Sequence, residues 1–342
     1  MKIDTHLGDL PGLAERAAML EQAGYDGVMS VETQHDPFLP LILAAEHTSR
    51  VELMTGIAVA FARSPMTLAH TGHDLQEFSG GRFILGLGSQ IRPHIEKRFS
   101  MTWSHPAPRM RELISAVRAI WDSWNNGSKL DFRGDFYTHT LMTPFFTPAP
   151  STHGAPRVFV AAVGEAMTEI AAEVADGVIL HAFTNERYLR EVTLPAVERG
   201  LARAGRRRED FEIALPCFLV TGEDEAATEA MRAAVRGQIS FYGSTPAYRG
   251  ALEVPGWGDL QTELHSLSKQ GRWAEMGGLI DASVLEAFAV EGTPDEIPER
   301  LLGRYGDIVD RVSFYAFAFG DSAGGWGRIV DGLRRGTAGT RT

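Results

Sequence analysis

The chain has 342 residues, of which 44% are hydrophobic and 23% are charged, a composition typical of a folded globular protein. Its net charge of −11 argues against nucleic acid or an anionic membrane surface as the main partner and favours a small-molecule substrate. Cys217 is the only cysteine, which excludes an internal disulfide and any multi-cysteine metal site. There is no membrane-spanning apolar stretch and no signal-peptide core at the N-terminus, so the cytoplasm is the expected compartment.

Short apolar segments alternate along the chain with amphipathic ones, which predicts eight βα units and therefore an α/β protein with a (β/α)8 TIM barrel. An open doubly wound sheet is the second choice of architecture. The predicted strands are Lys2–Asp4, Gly27–Val31, Val51–Gly56, Phe83–Leu87, Val158–Ala162, Val178–Leu180, Phe211–Val220 and Val312–Phe317. The predicted helices are Leu10–Ala23, Pro37–Thr48, a helix opened by Ser64-Pro65 and ending near Ser79, Arg109–Trp124, Glu165–Val174, Arg187–Ala204, Pro294–Tyr305 and Trp326–Arg334.

Two segments interrupt this alternation and are predicted to be insertions in a single domain of residues 1–336. The first, at about residues 125–156, is rich in proline and is expected to contain a small hairpin and an extended loop. The second, at about residues 222–290, is expected to be mostly helical. Residues 337–342 are expected to form a frayed tail.

The fourth predicted strand runs directly into Gly86-Leu87-Gly88-Ser89. Glycines at the carboxyl end of a parallel strand let a ligand approach the backbone, and this end of a barrel carries the active site. Tight strand-to-helix turns also need glycine, so the motif alone is compatible with a purely structural turn.

The second strand ends in a dense polar segment that contains Glu32, His35 and Asp36. Such a segment at the catalytic end of a barrel indicates a site, although helix capping before Pro37 is the alternative. His35 is the best candidate for a proton donor or acceptor, because imidazole titrates near neutral pH. Glu32 and Asp36 could tune it.

The fifth strand leads through Ala161 and Ala162 into Val163-Gly164-Glu165 at the start of a helix. Small residues before a helix N-terminus favour a phosphate site, although a plain βα turn has the same pattern. No HExxH motif or close carboxylate–histidine spacing occurs, so no metal site is predicted. Phe61, Met101 and Trp103 could line a pocket or belong to ordinary packing.

Three stretches together resemble the luciferase-like oxidoreductases, specifically the branch that depends on coenzyme F420. They are EQAGYDGVMSVETQHDPF, MTGIAVAFARSPMTLAHTGHDLQEFSGGRFILGLGSQ and FVAAVGEAMTEIAAEVADGVIL. The resemblance covers nearly the whole chain, and the order of the segments is more specific than any single motif. It implies a TIM barrel with insertions, a deazaflavin at the C-terminal mouth, hydride transfer and, in many members, a homodimer.

The resemblance also implies roles for particular residues. The family's non-prolyl cis peptide behind the cofactor ring would fall at Gly56-Ile57, and His35 matches the histidine near the reactive ring. The ring contacts after the fourth strand would be Gly86, Gly88 and Ser89. The backbone loop that takes the cofactor phosphate would be Ala162, Val163, Gly164 and Glu165.

One departure from the family pattern limits the substrate class. Sugar-phosphate dehydrogenases of this family carry a catalytic carboxylate just after the glycines of the fourth strand, where this chain has Gln90 and Ile91. The sequence therefore predicts an F420-dependent oxidoreductase of another small organic substrate. An FMN-dependent luciferase-like monooxygenase and a non-catalytic flavin-binding barrel remain the alternatives. Arg63, Arg92, Lys97 and Arg98 are candidates for a basic cluster that receives the anionic oligoglutamate tail of F420.

Overall fold

Eight parallel strands form the centre of the molecule in the computed structural model, which describes residues 1–315 and 326–338. Each strand pairs with its neighbours in chain order, and the circle closes through pairing of the eighth strand with the first. The strands are β1 Lys2–His6, β2 Gly27–Ser30, β3 Glu52–Thr55, β4 Phe83–Gly88, β5 Arg157–Ala161, β6 Gly177–Ile179, β7 Glu212–Val220 and β8 Arg311–Phe314. The closed parallel barrel confirms the predicted TIM-barrel architecture.

Helices surround the barrel, as expected for right-handed βα crossovers. They are α1 Leu13–Gln22, α2 Leu39–His47, α3 Pro65–Phe78, α4 Pro106–Asn126, α5 Glu165–Val174, α6 Leu194–Ala204, α7 Glu225–Gly243, α8 Arg249–Glu253, α9 Gly258–Lys269, α10 Trp273–Met276, α11 Ala282–Phe288, α12 Ile297–Tyr305 and α13 Trp326–Ala338. The start of α3 follows the predicted capping chemistry, since the Ser64 hydroxyl accepts the Thr67 N–H at 3.1 Å and Pro65 is the first helical residue.

Two segments interrupt the βα alternation. The first contains an antiparallel pair of short strands, Phe132–Arg133 and Thr138–His139. The second contains α7 to α11 and ends in a short strand, Ala289–Glu291, that pairs with β7.

Most differences from the prediction lie at element ends. The predicted helix Arg187–Ala204 differs internally, because a short helix, Glu186–Tyr188, and a π-helical segment, Leu189–Thr193, precede α6. A short strand, Ala58–Val59, was not predicted. The second helix starts at Leu39 instead of Pro37, because the Asp36 carboxylate accepts the N–H of Phe38 at 2.8 Å and so forms a turn first. At the C-terminus, β8 ends at Phe314, and the last two residues of the predicted strand lie outside the described residues. The last helix runs to Ala338, and the rest of the predicted tail is outside the described residues as well.

The interior of the barrel is filled by apolar side chains. Met29, Met54, Ile84, Phe159 and Ile179 pack together inside the ring of strands, separately from the larger core between strands and helices. The barrel is therefore a packed core and has no open channel at this level. Cys217 is buried, and burial raises the pKa of its thiol to about 12.

An ion-pair cluster occupies the opposite end of the barrel from the carboxyl ends of the strands. The fully buried Arg311 donates to both carboxylate oxygens of Asp4, at 2.8 and 2.7 Å, and also contacts Glu52 and Glu212. Two further cations, Lys2 and Arg157, bridge Glu52 and Glu212. Residue 27 is glycine because a Cβ there would overlap the Asp4 carboxylate and lie 2.7 Å from the Arg311 guanidinium.

Within the described part of the chain, no helix combines the length and the apolar character needed to cross a membrane.

Candidate functional site

The mouth of the barrel brings the sequence-predicted site residues onto one arc. Strands β2, β3, β4 and β5 are consecutive neighbours, and all of them are parallel. Their carboxyl ends therefore lie side by side. The polar segment after β2, the Gly56-Ile57 link after β3, the glycines of β4 and the loop after β5 follow one another around this edge.

The link between β3 and the short strand Ala58–Val59 has the geometry that the resemblance implied. The peptide bond between Gly56 and Ile57 is cis. The backbone N–H of Glu32 donates to the Ile57 carbonyl at 3.2 Å, and the Gly56 N–H donates to Ser30 at 2.8 Å. The segments after β2 and β3 are thus held together at this link.

The Glu32 side chain also binds the segment that follows β3, at Val59 and Arg63. Its carboxylate is 6% exposed and accepts the Val59 N–H and the Arg63 guanidinium, each at 2.6 Å. A buried carboxylate that is bound by a cation and a backbone N–H is a structural anchor. This arrangement favours a positioning role for Glu32, and its expected catalytic role, in which it tunes His35, stays a prediction.

The side chain of Ile57 forms an apolar floor beneath the mouth. A Cβ at Gly88 would lie 2.7 Å from Cγ1 and Cδ1 of Ile57, so the absence of a side chain at residue 88 makes room for Ile57. Met29 lies under Gly56 from inside the barrel. Gly88 is buried and Ile57 is partly buried, so Ile57 is the member of this pair that keeps some exposed apolar surface.

Gly86 has a different environment from Gly88. It is buried within β4, and its N–H and carbonyl both bond the Thr55 hydroxyl, at 2.9 and 2.7 Å. A Cβ at Gly86 would overlap the Thr55 carbonyl oxygen. Close packing of β3 against β4 therefore explains this glycine, and its contact with a cofactor ring stays a prediction.

His35 is exposed at the rim, after β2. Among the residues that the structure describes, its imidazole has no hydrogen-bond or ion-pair partner, so it is available to a ligand. Ser89 is partly exposed, and its hydroxyl donates to the Gln90 carbonyl at 3.2 Å. Asp36, by contrast, is used by the turn before α2.

The loop after β5 ends in an open helix N-terminus. Gly164 is the N-cap of α5, no side chain caps it, and a Cβ at this position would meet nothing within 4 Å. The first N–H groups of α5 are exposed and point out of the helix end, which favours an anion. The Glu165 carboxylate pairs with Arg199, so its charge is compensated on the neighbouring helix α6.

The candidate basic cluster is only partly available to a ligand. Arg63 is committed to Glu32, and Arg92 pairs with Glu96 at 2.9 Å. The Arg98 guanidinium contacts the Thr33 carbonyl, which places it at the rim next to the polar segment after β2.

Of the three aromatic or apolar candidates for a pocket wall, Phe61 belongs to the core. It is fully buried, its ring lies edge-on to Trp103 at 5.7 Å, and the Arg109 guanidinium covers it at 4.7 Å. Met101 is exposed and Trp103 is partly exposed. In residues 1–315 and 326–338, no three His, Cys, Asp or Glu side chains are placed to hold a metal ion.

The other half of the mouth carries an aromatic cluster that the sequence analysis did not single out. His181, after β6, contacts Tyr242 of α7 and Tyr248 with ring centroids 4.4 and 4.7 Å away. Tyr315, after β8, shares a hydrogen bond with the Tyr242 hydroxyl. Burial lowers the pKa of His181 to about 4. The only sequence signal was the position of His181 at a strand end, because the three tyrosines are distant in the chain.

Comparison with known proteins gives a consistent set of relatives. The profile of the luciferase-like monooxygenase family matches residues 3–311. An uncharacterized protein of Mycobacterium tuberculosis is 58% identical over 313 residues, covering 91% of this chain and 92% of the relative. A 5,10-methylenetetrahydromethanopterin reductase of Archaeoglobus fulgidus is 25% identical over 286 residues, covering 83% of this chain and 82% of the relative. The solved coenzyme F420-dependent tetrahydromethanopterin reductase of Methanopyrus kandleri has a TM-score of 0.77 at 21% identity, covering 97% of this chain and 96% of that one.

Proposed function

Because the chain belongs to the luciferase-like monooxygenase family, we propose that it is an oxidoreductase that binds the deazaflavin coenzyme F420 at the mouth of the barrel. It would transfer a hydride between F420 and a small organic substrate. The observation that carries this proposal is the pairing of an apolar floor, Ile57 over Gly88, with an open helix N-terminus at Gly164 on the same arc. A phosphorylated planar cofactor needs both a ring platform and an anion site.

The residues present fit such a group. Gly164 leaves space where a side chain would stand, and the uncapped N-terminus of α5 supplies N–H donors for a phosphate. Ile57 would support the ring from below. When bound, F420 supplies the hydride chemistry itself, and the protein supplies binding and orientation.

The roles of the polar residues follow from their contacts. His35 is exposed and unpartnered among the described residues, so its imidazole can hold or accept a proton at the rim. Glu32 holds the loop that carries Ile57 through Val59 and Arg63. We therefore assign proton handling to His35 and positioning to Glu32.

F420 is preferred over FMN for two reasons. Two of the relatives are reductases, and the solved one is described as dependent on coenzyme F420. The rim beside His35 also carries Arg98 and Lys97, which suit the anionic oligoglutamate tail that F420 has and FMN lacks. Salt would weaken the attraction between these two exposed cations and the anionic tail, as it does for exposed ion pairs in general.

The test is a fluorescence titration of the purified chain with F420 and, separately, with FMN. We expect F420 to bind at least about tenfold more tightly, a difference of about 1.4 kcal/mol in binding free energy. Equal affinities, or tighter binding of FMN, would contradict the F420 assignment and favour the FMN-dependent monooxygenase. Tight binding without turnover of any substrate would favour the non-catalytic barrel. The homodimer implied by the resemblance stays a prediction.

A further inference from the structure

We infer that His181, Tyr242 and Tyr248 form the substrate-recognition wall of the mouth and select an uncharged, planar substrate group that accepts a hydrogen bond, such as a carbonyl. This inference rests on the proposed function, because it takes the arc from β2 to β5 as the cofactor side. It adds the substrate class, which that proposal leaves open.

The position of the cluster fits a substrate facing the cofactor side. His181 follows β6, the strand next to β5, and Tyr315 follows β8. His181 and Tyr248 lie beside the loop after β5, since they line one cavity of about 20 Å³ together with Ala162 and Val163 of that loop. A cavity of this volume holds about one water molecule, so only a polar atom of a ligand would enter it, with the rest of the ligand in the open mouth. A molecule held by the cluster would therefore lie beside the cofactor loop.

The hydrogen-bond geometry of His181 makes its outer nitrogen a donor. The backbone N–H of Phe183 donates to Nδ1 of His181 at 3.0 Å, so Nδ1 carries no proton. Nε2 then carries the proton in the neutral ring. No described residue accepts that proton. Because burial lowers the pKa of the imidazole to about 4, the ring is neutral near pH 7 and offers one N–H to a ligand.

The surroundings of this N–H are aromatic and uncharged. Burial raises the pKa of Tyr248 and Tyr315, so both phenols stay neutral, and no charged side chain of the described residues contributes to the shift at His181. Thr184, which is 7% exposed, lines the same cavity, and its buried hydroxyl has no partner among the described residues. An ionic substrate would lose its hydration here without gaining a counter-ion, whereas a neutral planar group would gain ring contacts.

Two substitutions of His181 separate ligand recognition from a structural role. His181→Asn keeps an acceptor for the Phe183 N–H, because Oδ1 takes the place of Nδ1, but it removes the donor that reaches the ligand. His181→Gln keeps a donor near the position of Nε2 and loses the acceptor for Phe183. A recognition role is damaged by Asn and spared by Gln, and a purely structural role shows the reverse.

The probes are three para-fluoro compounds of nearly equal shape. Their binding to the full chain, with and without F420, is measured by fluorine NMR titration. Fluoroacetophenone carries the carbonyl, fluoro-α-methylstyrene replaces it with a hydrocarbon, and fluorobenzoate adds a charge. We expect the ketone to bind the wild-type protein about tenfold more tightly than either control, as one charge-neutral hydrogen bond in a dry site allows. His181→Asn should abolish this preference, and His181→Gln should retain it.

Several results would overturn the inference. Binding of fluorobenzoate as tight as that of the ketone would refute the neutral-substrate class. An unchanged ketone preference in His181→Asn would refute the donor role of Nε2, and thermal unfolding of both variants shows whether either result reflects loss of folding. Titration with F420 tests the proposed function separately. Because His181 shares a cavity with Ala162 and Val163 of the cofactor loop, the titration of the wild-type protein is the one that decides it. Failure of F420 to bind the wild type would therefore count against the cofactor and not against the recognition wall.

Discussion

Replacement of Arg311 by Met should be among the most destabilising single changes outside the apolar core. The guanidinium is fully buried and makes two hydrogen bonds to Asp4, whose carboxyl is itself buried. Without Arg311, Lys2 and Arg157 still compensate Glu52 and Glu212, but no other described cation contacts Asp4. The damage is thus concentrated on one buried carboxylate.

The size of the effect follows from that unpaired charge. Removal of one partner of a buried ion pair typically costs about 3–5 kcal/mol, a large part of the total free energy of unfolding of a natural domain. Because burial raises the pKa of Asp4, this carboxyl should become protonated in acid, and the loss of unfolding free energy caused by Arg311→Met should then be smaller. The double variant Arg311→Met with Asp4→Asn removes both charges and should recover more than half of the lost stability.

Urea unfolding followed by circular dichroism measures these free energies. The matched control is Arg190→Met, which removes an exposed pair with Asp307 and should leave the unfolding midpoint near that of the wild type. A loss below about 1 kcal/mol for Arg311→Met would refute the reasoning, because that is the range of exposed pairs. Equal damage in the single and double variants would refute it too, since the unpaired Asp4 would then not be the cause.

Two further predictions concern the two ends of the barrel. The cations beside Glu52 hold its pKa at about 2, below the ordinary value of 4.5. The ionised Glu52 carboxylate therefore stabilises the folded protein above about pH 4.5, and this stabilisation is lost as the pH falls toward the pKa of Glu52 in the folded protein. The advantage of the wild type over Glu52→Gln in urea unfolding should therefore shrink between about pH 6 and about pH 3, and a constant difference would contradict this assignment. At the mouth, Gly164→Val should weaken F420 binding at least about tenfold in a fluorescence titration, because the added side chain would occupy the space at the uncapped N-terminus of α5. The circular dichroism spectrum should stay unchanged, because a Cβ at this position meets nothing within 4 Å and φ is −106°. Unchanged affinity would show that the phosphate binds elsewhere.

The barrel could be predicted from the sequence because its signals are local. Buried parallel strands appear as short apolar segments, and Ser64-Pro65 marks a helix start through contacts within one turn. The ends of elements were less predictable where a side chain changes the turn. Asp36 delays the start of α2 in this way.

The candidate site could be predicted only in part. The ends of adjacent strands must meet, so the arc from β2 to β5 followed from the order of the strands. The ion pair of Glu32 with Arg63 could not be predicted from the sequence, since a capping or catalytic carboxylate has the same local sequence. The cluster around His181 depends on Tyr242 and Tyr248, which an insertion folds back onto the mouth, and no spacing in the sequence encodes such a contact.

The apolar filling of the barrel has a consequence for how the protein can change. Met29, Met54, Ile84, Phe159 and Ile179 lie between the ion-pair cluster around Arg311 and the mouth, so the described side chains that separate the two ends inside the strands are apolar. The two faces are then nearly independent modules for substitution. Substitutions in the ion-pair cluster can change thermal stability while the mouth keeps its ligand-binding residues. Substitutions in the loops of the mouth can change specificity without weakening the ion-pair cluster around Arg311.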